Sequence, residues 1–407
     1  MPLGRRLLLL ATGVLSAFLI FGATGDGDMA SAWKKLGVPA MSPSFADLRT
    51  ITHSIECKQK GIDPYRSRSC DPWKRLYNYP PIWLELGKFS VGSELTNAIG
   101  LTLAAFFVLA LLLIVDLRCG ISAWLLLLAS FSPPVLLGVE RGNTDLLIFS
   151  LVVLLFSFVA PTGLRSSPVI FSIGVVILTI LKIYPVALIT SLVPNRTKGI
   201  LFATSCALVS LVALLLTSKW HIIEVFENTP VSTWRSYGAA VIPIRLIGLS
   251  DIGVRLSSAV LAAALGTSLA VLMYRYKSVL LPRFDVDQVH GALATACGAI
   301  YCLTFLAGTN FDYRLVFLLP CILTSLRAFE TSFDYKQLYF PVIVTAYLWA
   351  TLLDSLVTDI ISLFVFALIF SAVLLRLAKS RTVKKANLKK GFNSSFEPGQ
   401  AQSDIHN

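Results

Sequence analysis

A chain of 407 residues that is 55% hydrophobic and only 14% charged lacks the polar surface of a soluble globular protein, which carries about a quarter charged residues. Its net charge of +12 gathers at the ends of apolar runs and in the tail after Leu375, where Arg376, Lys379, Arg381, Lys384, Lys385, Lys389 and Lys390 lie. That distribution favours a surface of anionic lipid over nucleic acid, and fits membrane orientation by flanking positive charge.

Apolar runs recur from Leu7 to Leu375, many near the roughly 20 residues needed to cross about 30 Å of hydrocarbon. In lipid, backbone groups must pair within their own element, and these runs lack the alternation of barrel strands, so they read as helices. The fold class expected is an all-α polytopic membrane protein, a bundle of about 12 transmembrane segments (ten to thirteen) with two long non-cytoplasmic loops.

In chain order, Arg5 and Arg6 precede an apolar stretch over 7–23 that resembles a signal peptide but is longer than the usual apolar core. It reads as an uncleaved first helix. Further segments are expected at 94–115, 121–139, 145–161, 168–181, 184–194, 199–217, 256–274, 288–308, 314–326, 338–353 and 358–376. The pair at 168–181 and 184–194 is short, and reads as a broken or re-entrant element around Lys182-Ile183-Tyr184-Pro185. With Arg5 and Arg6 inside, the cytoplasmic connections hold Arg118, Arg165, Arg196 with Lys198, Arg275 with Lys277 and Arg283, and Arg327 with Lys336. Both termini are then cytoplasmic, with a membrane domain over 1–377 and a basic disordered tail over 378–407.

The opposite face receives loop 24–93, the turn 140–144, the Lys182 turn, loop 218–255, the stretch 308–313 and Asp354. Loops as long as the first and fourth are uncommon unless functional. In the first, a helix is expected from Phe45 to Lys60, capped by Ser42 or Ser44. Phe45, Leu48, Ile51 and Ile55 would share a face suited to the membrane interface. Asp47 falls in its first turn and reads either as an acid complementing the helix dipole or as a general base. Cys57 and Cys70 are candidates for a disulfide closing this loop, two free thiols being the alternative. The other five cysteines read as small packing residues.

Elsewhere, Glu140-Arg141-Gly142-Asn143-Thr144-Asp145 holds more polar chemistry than a turn requires, although Asp145 alone reads best as the cap of the next helix. Lys182 inside an apolar stretch is costly, which marks it as functional. Asp312 and Arg314 read as a structural pair. Trp234, Arg235, Tyr237 and Arg245 offer an aromatic and cationic surface for sugar or phosphate. Asp26-Gly27-Asp28 resembles a metal motif but reads better as a solvated loop, and His53, His221, His290 and His406 form no zinc spacing. No phosphate-binding loop, nucleophile elbow or dinucleotide fingerprint occurs.

An Asp in the first outer loop, then Gly61-x-Asp63-Pro64-Tyr65, Tyr79-Pro80-Pro81, Gly142-Asn143-x-Asp145, Lys182-Ile183-Tyr184-Pro185 and Asp312-Tyr313-Arg314, together resemble the polyprenyl-phosphate-dependent glycosyltransferases of the GT-C superfamily. The likeness is nearest to glycosyltransferase family 87, the DUF2029 group that includes a mycobacterial phosphatidylinositol-mannoside mannosyltransferase. The ordered set spans about residues 45 to 320. The resemblance implies transfer of a hexose, often mannose, from a polyprenyl-phosphate donor to a lipid or glycan acceptor, with inversion and without metal or other cofactor. By position Asp47 would be the base, and Lys182, Arg314, Arg235 and Tyr184 would hold the donor phosphate. Tyr79, Asn143, Asp145 and Asp312 would serve the acceptor or support the site. The setting implied is the plasma membrane, with the site on its non-cytoplasmic face. Cys57, Cys70 and loop 218–255 do not map onto the family pattern. The alternative is a transporter or lipid flippase, whose path the same charges would line.

Overall fold

Leucine, valine, isoleucine, alanine and phenylalanine dominate the runs that become helices, while proline, glycine and aspartate or asparagine set their ends. The structure is a computed structural model that describes residues 1–26, 29–159, 168–191, 196–218, 221–248, 251–275, 280–282, 284 and 288–394. Gly27, Asp28, Arg165, Lys277, Arg283 and residues 395–407 lie outside the described residues, as do the side chains of Asp26, Arg196, Lys198 and the tail from Lys379 onwards.

The architecture is all-α. Its helices are α1 (Leu3–Asp26), α2 (Met29–Lys35), α3 (Ala46–Gln59), α4 (Thr96–Ile114), α5 (Gly120–Ser130), α6 (Pro133–Arg141), α7 (Thr144–Val159) and α8 (Pro168–Leu181). After these come α9 (Arg196–Ser218), α10 (Ile222–Asn228), α11 (Val241–Ile247), α12 (Ile252–Arg275), α13 (Gln288–Leu306), α14 (Leu319–Ser332), α15 (Tyr339–Ala350) and α16 (Leu356–Ser394).

Among the described residues, seven stretches are long and apolar enough to cross a bilayer: Leu3–Ile20, Ser93–Ile114, Leu201–Ser218, Ile252–Met273, Val289–Leu306, Asp312–Ser332 and Leu356–Ala378. An eighth forms if α5 and α6, bent by 46° at the break before Pro133, act as one span. The other expected segments are shorter elements. With 16 and 14 residues, α7 and α8 extend about 24 and 21 Å at about 1.5 Å per residue, less than the hydrocarbon thickness. Residues Tyr184–Ser191 are a 3₁₀ helix, and α15 stops at 12 residues. The stretch expected as a disordered tail continues α16 to Ser394, because lysine, leucine and alanine propagate helix and no proline interrupts them.

Burial sorts these helices into centre and rim. Val289–Leu306 and Asp312–Ser332 are each 78% buried inside the protein, whereas Leu208, Val212 and Leu215 of α9 and Leu256, Val260 and Leu261 of α12 are exposed. Exposed leucine and valine along a helix match a lipid environment, which carries no penalty for apolar surface.

The loops over one end of the bundle are structured. Helix α3 begins one residue later than expected and has no serine cap: Phe45 is the cap residue in the left-handed region, φ 63°. The entry is held instead by Glu140, whose carbonyl accepts from Phe45 N at 3.1 Å and whose Oε1 accepts from Met41 N at 2.9 Å. Nor does its apolar face lie on the membrane interface. Ile51 and Ile55 are buried with Tyr65, Tyr77, Trp83 and Leu84, so the loop has a small core of its own. Cys57 and Cys70 are joined as a disulfide, linking the end of α3 to the loop ahead of Asp71. The second long loop, 218–255, is tied down by an antiparallel bridge of Ser236 with Phe311 and Tyr237 with Asn310. Gly238, φ 135°, is required there, since a Cβ would lie 1.8 Å from the Gly308 carbonyl oxygen.

Replacing Cys57 and Cys70 together by serine should lower the unfolding free energy of the first long loop by about 2–3 kcal/mol. Limited proteolysis of detergent-solubilised protein measures this, with faster cleavage between 57 and 79 expected. Equal cleavage rates in both proteins would refute a stabilising role.

Candidate active site

The site grows from the junction of α6, α7 and α3. Gly142 ends α6 with φ 58°, and a Cβ there would lie 3.1 Å from the Phe45 ring and 3.2 Å from Leu48 Cβ. Glycine therefore permits both the turn and the close approach of α3. The next residue, Asn143, caps α7: its Oδ1 accepts from Asp145 N at 2.8 Å. This leaves the amide nitrogen free to donate to Asp47 Oδ2 at 2.6 Å. Thus Asn143 is the cap, and Asp145, read from sequence as the cap, has another task inside the first turn.

Arg75 approaches Asp47 from the other side, its Nη1 donating to Oδ1 at 3.2 Å. Arg75 carries no sequence signal of its own beyond the Asp71-Pro72 turn ahead of it. Asp71 Oδ1 accepts from the backbone N–H groups of Trp73 (2.8 Å) and Arg75 (3.2 Å), curling the chain. Its Oδ2 accepts from Thr50 Oγ1 at 2.7 Å and Arg75 Nη2 at 3.0 Å. Arg75 Nη2 also donates to the Ala46 carbonyl at 2.7 Å, and the guanidinium lies 5.0 Å from the Trp73 ring centroid. Burial opposes the charge on Asp71, but the Arg75 hydrogen bonds and charge and the Thr50 hydroxyl outweigh it and hold the carboxyl below its ordinary value. For Arg75, burial is likewise outweighed by Asp47 and Asp71, which raise its pKa and keep it a cation. Burial and the Asp47 charge push the Tyr79 phenol well up, so it stays neutral.

Behind Asn143 lies a buried ion cluster. Asp145 accepts from Lys182 and the Tyr184 hydroxyl on Oδ1, and from Arg314 Nε at 3.2 Å on Oδ2. Lys182 Nζ is 3.5 Å from Asn143 Oδ1 and 5.6 Å from the Tyr79 ring centroid. Arg314 lies 5.5 Å from the Tyr184 ring centroid. Pro185 explains the helix break: it offers no N–H to the Leu181 carbonyl, and Trp83 Nε1 donates there instead at 3.0 Å.

Six of the residues selected from sequence therefore form one connected network: Asp47, Asn143, Asp145, Lys182, Tyr184 and Arg314, with Tyr79 beside it. Two do not join it. Arg235 Nη1 donates to the Thr351 carbonyl at 2.6 Å, and Asp312 meets Arg235 through its backbone, donating its N–H to the Arg235 carbonyl at 2.9 Å. Arg314 pairs with Asp145 rather than Asp312, since the chain turns between them and only Arg314 faces the charge at the start of α7. Of the aromatic and cationic surface expected in loop 218–255, Arg245 is taken up by Asp354 (2.9 Å) and Asp359 (2.7 Å) and Tyr237 is buried against Tyr301. Only Trp234 reaches the cavity beside Asp47.

That cavity has a volume of about 570 Å³. Asp47, Thr50, Arg75 and Tyr79 form one part of its wall, Arg141 and Tyr313 another, and Glu227, Asn228 and Trp234 a third. Among the described residues no three His, Cys, Asp or Glu side chains come together as metal ligands. The arrangement presents a carboxylate, fixed through both oxygens, to a space of small-ligand size. No family model, curated protein or solved structure matches this chain.

Two measurements probe these contacts. Asp145→Asn should destabilise the protein by about 3–5 kcal/mol, because it strands two buried cations. Adding Lys182→Met should restore part of the loss. Thermal unfolding in detergent reads both, and a neutral Asp145→Asn would remove the cluster's structural importance. Asp71, whose folded pKa is depressed, contributes stability above the ordinary aspartate value of about 3.9 that is lost as pH falls through its lower folded value. An acid titration of stability should therefore be flatter in Asp71→Asn than in the wild type below about pH 4; parallel curves would show that Asp71 makes no such contribution.

Proposed function

We propose that this chain is a membrane glycosyltransferase of the GT-C type, similar to family 87. It moves a hexose, mannose in the first instance, from a polyprenyl-phosphate donor to a lipid or glycan acceptor at the non-cytoplasmic face, with inversion. The observation that carries this reading is the meeting of residues from four separated motifs, Asp47, Asn143 with Asp145, Lys182 with Tyr184, and Arg314, in one network whose Asp47 lines a cavity. A mere dipole acid at the start of α3 would not need hydrogen bonds to both carboxylate oxygens.

In this reaction Asp47 takes the proton of an acceptor hydroxyl as its oxygen attacks the anomeric carbon of the donor sugar. The bond from that carbon to the phosphate oxygen breaks, and the electron pair leaves with the polyprenyl phosphate. A phosphate leaving group needs little protonation, so one base suffices. Asn143 and Arg75 fix the carboxylate and preserve lone pairs for the incoming proton. Lys182 and Arg314 share a single carboxylate between two cations, which leaves positive charge for a departing phosphate. On this reading the α5–α6 pair, α7, α8, the 3₁₀ helix after it and α15 supply five further segments towards a bundle of about 12, both termini being cytoplasmic.

Asp47→Asn should reduce sugar transfer from polyprenyl-phosphate hexose by about 10²–10⁴-fold with folding intact, measured with radiolabelled donor and extracted membrane lipids as acceptors. Unchanged transfer would remove Asp47 from the chemistry. A cysteine introduced at Lys88, which is exposed, should react with an impermeant maleimide added outside intact cells; labelling only from the cytoplasmic side would reverse the topology.

A further inference from the structure

Both short helices of loop 218–255 divide into a face that the protein holds and a face that it leaves bare. On α10, Asn228 donates to the carbonyls of Tyr65 and Tyr77 at 2.9 and 3.0 Å, and Val225 packs on the small core around Ile51 and Ile55. Glu224 meets Arg66 at 3.2 Å and also contacts His221. On α11, Val241 is buried, Arg245 is bound by Asp354 and Asp359, and the helix packs against α16. The bare faces carry Ile223 and Phe226 on α10, 62% and 65% exposed, and Leu246 and Ile247 on α11, 60% and 61% exposed. A single exposed apolar residue is ordinary on a protein surface. Two large ones on each of two helices otherwise fixed to the bundle mark a contact with something apolar.

The chain on either side says what that is. The span Leu201–Ser218 ends just ahead of α10, and the span Ile252–Met273 opens just after α11. Leu208, on the lipid-facing rim of α9, is 62% exposed, as is Ile223. Between Ser218 and His221 the sequence reads Lys219-Trp220, residue types that gather at the headgroup level of a bilayer. With seven residues each, α10 and α11 extend about 10 Å, too short to enter the hydrocarbon as spans and long enough to lie along its surface. The cavity beside Asp47 shares this level, since Glu227 and Asn228 at the end of α10 and Trp234 line it. Arg68 and Lys74, the latter in the left-handed region at φ 58°, line it from the first long loop, and both are exposed. Cations of that kind settle among lipid phosphates.

We propose that α10 and α11 are seated on the lipid leaflet at which α9 ends and α12 begins, with Ile223, Phe226, Leu246 and Ile247 dipping into the acyl boundary. Loop 218–255 is then a strap with both ends resting on lipid and its middle fixed to the bundle by the Ser236–Phe311 bridge. The seat holds the mouth of the cavity at the depth of the headgroups.

Photo-crosslinking of the full-length protein in phosphatidylcholine nanodiscs tests this. p-Benzoylphenylalanine is introduced singly in place of Ile223, Phe226 or Ile247, with Leu208 as the lipid-facing reference and Lys60, exposed at the end of α3, as the reference in water. After irradiation, the peptides holding positions 223, 226 and 247 should gain the mass of one phospholipid, as the peptide holding 208 does, and the peptide holding 60 should not. Loss of the adduct at 223 and 226 with that at 208 retained would overturn the seat. A crosslink to a second copy of the chain at those positions would overturn it too, by showing that the bare faces pair two proteins. So would lipid adducts at Lys60 equal to those at 226, because the contact would then not belong to these faces. None of these readouts depends on the chemistry at Asp47.

Discussion

A carboxylate among apolar helices is tolerable only with its counter-ions built in, and Asp145 imposes that condition on one whole end of this bundle. It is fully buried, and its partners come from the end of α8, the 3₁₀ turn after it and the segment before α14. Each partner therefore fixes a backbone feature. Lys182 must sit where α8 breaks, Tyr184 must turn back towards α7, and Arg314 must face the start of α7 rather than its own neighbour Asp312. From Asp71 through Arg75, Asp47, Lys182 and Asp145 to Arg314 the charges alternate in sign, with Asn143 as the neutral link between Asp47 and the cluster. In a low-dielectric setting such alternation spreads the desolvation cost over several attractive contacts.

The two long loops are as firmly specified as the helices they connect. Asn228 at the end of α10 donates to the carbonyls of Tyr65 (2.9 Å) and Tyr77 (3.0 Å), and His221 stacks on Tyr65 with ring centroids 4.5 Å apart. Arg66 reaches Glu224 at 3.2 Å. The two long loops thus close on one another above Asp47, and the cavity lies between surfaces each tied to the bundle, by Glu140 for the first loop and by the Ser236–Phe311 bridge for the second. Long loops that keep a shape need such a reason for every ordered residue, because ordering each one costs about 1–2 kcal/mol of backbone entropy.

What the sequence makes legible is the residue that is out of place. A lysine in an apolar run, an asparagine after glycine at a helix junction and an acid at a helix start all stand out against their neighbours, and Lys182, Asn143 and Asp47 meet in the fold. What it hides is partnership across distance. Arg235 and Arg245 look like free cations in a loop, yet their acceptors Thr351, Asp354 and Asp359 lie more than 100 residues on. Arg75 looks like one of many loop arginines, since nothing local reveals that Asp71 curls the chain to aim it at α3. The helix count suffers in the same way. Hydropathy marks 121–139 and 184–194 as apolar, but the bend before Pro133 and the 3₁₀ winding after Pro185 are backbone responses to proline that a running average smooths away.

The alternation of charge also separates two kinds of cation by what they are free to do. Lys182, Arg314 and Arg75 are bonded to carboxylates that could not remain buried without them, so their first contribution is to hold Asp145, Asp71 and Asp47 in place. Arg68 and Lys74 stabilise nothing comparable, and the left-handed backbone at Lys74 even costs stability. Asp47 is held rigid by Arg75 on one oxygen and Asn143 on the other. That fixed geometry is the property on which proton transfer would depend.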